Sequence, residues 1–479
     1  MEIELRRVDE VRWLIPRNGP MRTDGMIFGD DEIIRQLKED QSLQQVANVA
    51  CLPGIRGRSL AMPDIHWGYG FPIGGVAGFD AEEGVISPGG VGYDINCGVR
   101  LLRSDLPASE ARARIEPLVE RLFRALPSGV GSRRSDVKLD RSQVRQVLRE
   151  GAPWVVERGE GRADDLDAIE NGGVLDGADP DRVSERALDR GRDQLGTLGS
   201  GNHFAEVQAV EEIYDPETAA AFGLELGKVA VMIHSGSRGL GYQICDDYLE
   251  QMIDAAERHG IDLPDRQLCC APIRSDEGRA YLGAMNAGAN YAFANRQTMA
   301  HNARGVFGEL FGDPAADSMR TVYDVCHNIA KFEEHEVDGE PTRVCVHRKG
   351  ATRSFPAGHP DLPERYREVG QPVLVPGDMG RYSYVAVGTE AGYRETFGSS
   401  CHGAGRLMSR RQSRSEQEGR SLFREFREQG VYVRSDERST VAEEVPSAYK
   451  DVKNVMDVVE AAGIGRPVAR LRPLGVIKG

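Results

Sequence analysis

The stretch from Ser87 to Arg100, reading SPGGVGYDINCGVR, constrains this chain more than any other. At its centre Asp94 and Cys97 stand three residues apart, bracketed by Gly92 and Gly98. Glycine frees the backbone for sharp turns and close approach, so a carboxylate and a thiol can be aimed into one small volume. A thiolate can bridge two metal ions, and a carboxylate adds a hard oxygen beside it. The stretch reads as the floor of a metal site. Taken alone it also suits a glycine turn with a buried structural cysteine, and the rest of the chain decides between the two.

The length of 479 residues corresponds to roughly three domain-sized units. No internal repeat, low-complexity tract or linker divides the sequence, so we expect one large domain over 1–479. Residues 127–180, with their Gly, Pro and charged clusters, read as loops with short helices: a candidate surface insertion or a cover for the site. No apolar run approaches the roughly 18 residues of a membrane span, and the N-terminal MEIELRRVDEVRW has no apolar signal core. The expected compartment is the cytoplasm. There, eight cysteines point to metal or catalytic roles rather than a disulfide framework.

A net charge of -15 argues against non-specific nucleic-acid binding. A nucleic-acid substrate would need local basic surface. The strongest basic run is Arg406, Arg410, Arg411, Arg414, Arg420, Arg424 and Arg427, which reads either as a phosphate track or as a solvated helix face.

Apolar periodicity predicts helices over 30–46, 109–126, 181–195, 241–258, about 279–311, and 451–462. The second is expected to be capped by Ser109 and kinked or broken at Pro117. Strands are expected at about 99–103, 204–210, 228–233, 319–325, 342–346, at the start of 372–380, and at 382–387. The last residues, with Lys478 one from the end, are expected to fray.

Several polar residues fall at the ends of these strands. Asp64 and His66 are two apart, hence on one face of a strand. In Asn202-His203-Phe204-Ala205-Glu206 the period of two groups Asn202, Phe204 and Glu206, and sets His203 opposite unless a turn reorients it. His234 and His327 each end an apolar strand. His402 sits among small residues in SSCHGAGR, so a large ligand could approach its ring. Singly, each histidine suits a structural role. Together Asp94, Cys97, His203, His234 and His327 would serve two metals sharing one thiolate, a device that clamps phosphoryl chemistry with ions about 4 Å apart. His402 is then free to act as a nucleophile or base.

The stretches MPDIHWGYGFPIGG, GGVGYDINCGVR, LGSGNHF, HSGSRG, SSCHGAGR and GVIKG resemble the RtcB family of RNA-splicing ligases, over essentially the whole chain. The resemblance implies one manganese ion on Asp94, Cys97 and His203, and a second on Cys97, His234 and His327. It implies that His402 takes GMP from GTP through a phosphoramidate bond. The guanylate pocket would use Asn202, His203, Phe204, Ala205, Glu206, His327, Asn328, Pro376, Gly377, Asp378, Met379, Ser383, His402, Gly403, Ala404, Gly405, Tyr449 and Lys478. Phe204 would pack near the nucleotide and Glu206 would accept from the guanine edge.

The implied activity joins a 2′,3′-cyclic phosphate or 3′-phosphate RNA end to a 5′-hydroxyl end, in tRNA splicing or RNA repair. RNA is the implied partner, with an archease-like activator as a candidate and no DNA expected. Arg190 and Arg238 join the 406–427 run as candidate phosphate contacts. The expected fold class is α+β, with mixed or antiparallel sheets around a central metal and nucleotide cleft and helices outside. Two residues depart from the family's pattern, Asp378 and Tyr382, the latter bulkier than usual before Ser383. Asp378 stands where a serine is usual, and its charge near a triphosphate requires a neutralising metal or arginine. Cysteine and histidine ligands alone would suit zinc, whereas the resemblance implies manganese. The alternative reading from another class is a dinuclear phosphodiesterase, which would use the five metal ligands but need no guanylylated His402.

Overall fold

The computed structural model describes residues 3–38 and 40–479. It is built on two large sheets. The first has seven strands, in the order Arg6–Arg7, Arg12–Ile15, Gly25–Phe28, Ile55–His66, Ile73–Asp80, Glu340–Lys349, Asn328–Val337. In the second, the order is Arg320–Cys326, Gly98–Pro107, Lys228–Ser235, Phe204–Ile213, Arg466–Lys478, Ser383–Val387, Pro372–Val375, with Tyr432–Arg434 added parallel to Arg466–Lys478. Apart from that pair and the Gly25–Phe28/Ile55–His66 pair, the ladders of these two sheets are antiparallel.

Central strands of the second sheet are apolar on both sides because both faces are covered. Ala205, Val207, Val231 and Ile233 enter one core, and Phe204, Ala230 and Met232 enter the other. The two sheets are joined at one residue. Cys326 pairs with Gly98 in the second sheet, and Asn328 pairs with Lys349 in the first. His327 is the crossing point, its N–H donating to the Cys97 carbonyl at 2.8 Å and its carbonyl accepting from Gly350 N at 2.7 Å.

The helix Asp276–Phe311 lies inside the molecule. Every residue from Ala287 to Ala300 is buried, as expected of a helix rich in Ala, Gly and Asn with no polar stripe. Its buried amides are matched to backbone: Asn290 bonds Leu175 N and Leu148 O, and Asn295 bonds Gly196 N and Thr197 O. Segment 127–180 also differs from expectation. It carries the 17-residue helix Arg141–Glu157, whose Val144, Val147, Leu148 and Val155 join the same core as Phe293. Gly and Pro misled there: Gly151 has a positive φ of 61° at a kink, with Pro153 two residues on.

Other boundaries shift for local reasons. Residues 30–46 form two helices, Asp31–Leu37 and Ser42–Val49, with Glu39 outside the described residues. The 109–126 pattern breaks at Arg114, so that Pro117 falls in the first turn of Ile115–Ala125, where its missing N–H costs nothing. Ser109 is not the cap; Pro107 is the residue before the first helix. The predicted 181–195 helix shrinks to Glu185–Gly191.

Arg296, on the long helix, ties these parts together. Its guanidinium meets Asp324 on Arg320–Cys326 at 2.8 Å and donates to the carbonyls of Asn96 at 2.7 Å and Ser235 at 2.9 Å. Arg100 reaches the other Asp324 oxygen at 2.7 Å, and all three side chains are fully buried. Removing one partner of a buried pair leaves the other uncompensated, at a cost of about 3–5 kcal/mol. Asp324→Ala should therefore lower the unfolding free energy by about that amount in a urea titration. An exposed-pair control such as Arg121→Ala should change it by less than about 1 kcal/mol.

A candidate metal centre and the adjoining cleft

The Ser87–Arg100 stretch turns before it becomes the strand Gly98–Pro107. Asn96 takes a left-handed φ of 52°, a conformation asparagine tolerates better than most residues. The turn brings Asp94 and Cys97 to one side. A Cβ at Gly236 would lie 2.4 Å from an Asp94 oxygen, so that glycine makes room for the carboxylate. Ser237 N donates to Asp94 Oδ1 at 3.0 Å, at the start of the helix Arg238–Arg258.

Three imidazoles converge on this pair. Cys97 Sγ lies 3.3 Å from both His203 Nε2 and His234 Nε2. His203 Nε2 is 2.8 Å from Asp94 Oδ2, and His234 Nε2 is 3.3 Å from His327 Nε2. The five side chains thus form two triads, Asp94–Cys97–His203 and Cys97–His234–His327, sharing the thiol; within each triad the donor atoms lie within 4.8 Å of one another. His203 reaches its triad because Gly201 and Asn202 form a turn and the strand starts only at Phe204. Its Nδ1 donates to the Leu198 carbonyl at 3.0 Å, which leaves the Nε2 lone pair for a ligand.

The donor set fits metal ions. Five ligand atoms packed this closely compete for few protons, and a cation removes the conflict. Burial, then the neighbouring Asp94, pushes the Cys97 thiol well above its usual range. Ion binding must therefore displace a proton from it. Burial pushes Asp94 up as well, but His203 and Arg238 outweigh that and hold it at about 2.

A cleft of about 280 Å³ adjoins the triads. Three adjacent strands build its floor in register. His234 stands opposite Phe204, and Phe204 opposite Lys478. Side chains directly opposite share a face, so the Phe204 ring packs 5.3 Å from His234 and Lys478 Nζ lies 5.6 Å over that ring. Lys478 is thus held in a ladder and buried, not frayed. Glu206, two residues along, faces the same cleft. Burial pushes its carboxyl up to about 7, against the pull of Gln208 and Lys478.

Across the cleft, His402 follows the short strand Ser399–Cys401. Asp64 fixes it twice, accepting from the His402 backbone N–H at 3.0 Å and from ring Nδ1 at 2.6 Å. That tautomer leaves Nε2 unshared. The His402 and His327 rings are 4.7 Å apart by centroid, so a free imidazole nitrogen adjoins the second triad. Asp64 is held in turn by Lys450, whose buried ammonium donates to the carbonyls on either side, Pro63 at 3.1 Å and Ile65 at 2.5 Å.

Of the other expected residues, Asn202, Asn328, Pro376, Gly377, Asp378, Met379, Gly403, Ala404, Gly405 and Tyr449 also line the cleft. Ala205 does not; the alternation of its strand sends it into the opposite core. Ser383 lies behind the wall, its Oγ accepting from Gln208 Nε2 at 3.0 Å. Arg381 answers Asp378 at 2.5 Å, so this carboxylate arrives neutralised. Glu444 was missed. It lines the cleft, buried, where Arg406 at 3.0 Å, Lys478 at 3.4 Å and the Tyr449 hydroxyl converge on it. Nothing in its local sequence signals this.

Most of the arginine run stands in ion pairs: Arg406 with Glu444, Arg410 and Arg414 with Glu443 at 3.6 and 3.3 Å, Arg420 with Glu425, Arg424 with Glu428 and Arg427 with Glu116. Arg411 is exposed and in no ion pair among the described residues. Only Arg406 and Arg410 of the run reach the cleft lining. Among the described residues, no helix is long and apolar enough to cross a membrane.

Comparison with known proteins matches residues 45–479 to the family model described as tRNA-splicing ligase RtcB. A protein named tRNA-splicing ligase RtcB from Thermococcus kodakarensis is 55% identical over 479 residues, covering 100% of this chain and 99% of that one. Its namesake from Archaeoglobus fulgidus is 53% identical over 486 residues, covering all of both chains. RNA-splicing ligase RtcB from Mycobacterium tuberculosis is 52% identical over 437 residues, 91% of this chain and 100% of its own. With a family model matched over nearly the whole sequence and relatives this similar from end to end, the chain belongs to the RtcB family.

Proposed function

We propose that this chain is a GTP- and manganese-dependent RNA ligase that joins 2′,3′-cyclic phosphate or 3′-phosphate RNA ends to 5′-hydroxyl ends, with GMP carried on His402. The class follows from the family and from its relatives' names. The observation that carries the route is His402 itself: an imidazole whose Nδ1 is held by Asp64 at 2.6 Å, leaving Nε2 free in a cleft beside His327.

His402 Nε2 attacks the α-phosphorus of GTP, and the bond to the β-phosphate breaks with loss of pyrophosphate. Asp64 keeps the proton on Nδ1 and stabilises the positive ring that forms. The protonated imidazole is then a good leaving group when the RNA 3′-phosphate attacks the same phosphorus. The 5′-hydroxyl attacks the activated 3′-phosphate and GMP departs. Two divalent cations on the Asp94–Cys97–His203 and Cys97–His234–His327 triads would screen converging phosphates and acidify water for opening a cyclic phosphate. Phe204 and Lys478 form one wall of the cleft, and Glu206 accepts from the guanine edge.

Incubation with GTP labelled at the α-phosphate tests this. Wild type should take up label that is lost in acid and kept in alkali, the behaviour of a phosphorus–nitrogen bond. His402→Ala should take up none while its metal content stays near wild type. An unlabelled wild type that still cleaves RNA ends would favour the phosphodiesterase.

Because Cys97 belongs to both triads, Cys97→Ser should lower occupancy of both metals together in elemental analysis. Loss of one ion alone would contradict the shared thiolate.

Burial pushes the Glu206 carboxyl up to about 7, and only its ionised form accepts two N–H groups. Guanine affinity should be complete about one unit above that value, be halved at it, and fall by up to about tenfold per unit below it, as the proton competes. A titration of GTP binding between pH 8 and 5.5 should show this slope, and Glu206→Gln should flatten it.

A further inference from the structure

An aromatic group beside the metal centre takes no part in that chemistry. Tyr242 is half exposed on the first turns of the helix Arg238–Arg258. Its ring stacks on Tyr93 at 4.7 Å with 24° between planes, and Tyr69 meets Tyr93 edge-on at 5.6 Å. Tyr93 directly precedes the metal-ligating candidate Asp94, and the helix bearing Tyr242 begins where Ser237 N bonds that same carboxylate at 3.0 Å. Among the described residues, the Tyr69, Tyr93 and Tyr242 hydroxyls have no hydrogen-bond partner. Tyr69 and Tyr93 pack against the core, whereas Tyr242, stacked on them from outside, is exposed and not part of it.

Its surroundings supply the other half of a binding surface. Gly239, three residues before Tyr242 and so on the same helix face, packs against Arg190, whose Cδ would lie 3.5 Å from a Cβ at that position. Arg190, Arg133 and Arg186 line an adjoining surface hollow together with Asp189 and Asp193, the latter paired with Arg133 at 3.3 Å, so the arginines outnumber the carboxylates by one. A stacking face beside arginines is the pattern by which proteins hold single-stranded nucleic acid: cations follow the backbone and flat rings take the bases without regard to sequence.

We propose that Tyr242, backed by Tyr93 and Tyr69, is a stacking platform for an unpaired base next to the RNA end that lies at the metal centre. The proposal rests on the RNA-ligase reading for the identity of the ligand. The start of this helix is bonded to Asp94 through Ser237 N, so the platform takes a strand that leaves the Asp94–Cys97–His203 triad over that start. A stacked base holds the terminal phosphate in place without contributing any group to the reaction. Because aromatic faces accept every base, the platform makes the enzyme tolerant of sequence and selective for ends that are not paired.

The test is direct binding of a short single-stranded RNA with a 3′-phosphate to the full chain loaded with manganese, measured by fluorescence anisotropy. Tyr242→Ala should raise the Kd about tenfold, within the range of one base–aromatic stack, and Tyr242→Phe should leave it within about twofold. An RNA with abasic sites in its terminal nucleotides should bind wild type and Tyr242→Ala alike, because the lost partner is then missing from both sides. Equal binding of intact RNA by wild type and Tyr242→Ala overturns the platform, as does a loss that persists with abasic RNA. Labelling of His402 by GTP is read in parallel. Tyr242→Ala should label as wild type does, whereas absence of label from both proteins counts against the ligase reading and leaves the stacking result to stand on the binding data.

Discussion

Asp324 is the charge on which the rest of the structure depends. Two guanidiniums, from Arg100 and Arg296, close on it with no exposed surface among the three side chains. Such a cluster is costly to bury, and Arg100 Nη2 finds no hydrogen-bond partner in it. The bonds that Arg296 makes do fix positions. Arg296 has donors left after Asp324 is satisfied, and it spends them on the carbonyl and side chain of Asn96 and the carbonyl of Ser235. These residues lie next to Cys97 and His234. The central helix, the edge strand and two metal-ligand loops are thereby referred to one point, so the spacing of the triads is set from behind the sheet.

The second constraint is the crossing at His327. A strand that leaves one sheet and starts another forces the sheets together at that residue, and the chemistry is placed at the seam. The second sheet delivers His234, Phe204, Glu206 and Lys478 in lateral register. The first delivers Asp64 near the end of Ile55–His66, and with it the position of His402. Metal ligands and the free imidazole are therefore contributed by different sheets, and their 4.7 Å ring spacing at His327–His402 depends on how the sheets meet. Lys450 and Asp64 brace one side of this seam; Arg296 and Asp324 brace the other.

How much of this could be read from the chain follows the range of each interaction. Glycine spacing around Asp94 and Cys97 is local, and it located the centre of the site. Histidines at strand ends announced themselves because an apolar run must stop somewhere. His203 needed one turn that periodicity could only flag. What stayed hidden was set by partners far off in sequence: Glu444 as the hub for Arg406, Lys478 and Tyr449, Asp64 as the holder of a histidine 338 residues away, and the burial of a helix whose small residues look neutral on any one face. Lys478 was misjudged for the same reason, since end fraying is a local rule and a ladder with Phe204 is not. The arginine run was left between two readings for a different reason. Its residues were counted correctly, but the acids that answer them lie from one helical turn to more than three hundred residues away, and charge summed along a sequence says nothing about pairing in space.

That pairing matters for how an acidic protein can handle a polyanion. With a net charge of -15, the surface field repels RNA at long range, and most of the arginine run is already neutralised at short range. Within the cleft, Asp94, Glu206, Asp378 and Glu444 stand against Arg406, Arg410, Lys478 and the Arg381 that answers Asp378. These side chains are close to balanced, so the cleft by itself offers little net attraction for a triphosphate or an RNA terminus. Under the proposed function, positive potential would enter with cations on the two candidate triads, between Asp94 and His327 and next to the unshared nitrogen of His402. In a self-neutralised pocket each added charge is local and weakly screened by the low-dielectric walls around it. Ions held there would therefore also set where on this acidic surface a phosphate comes to rest.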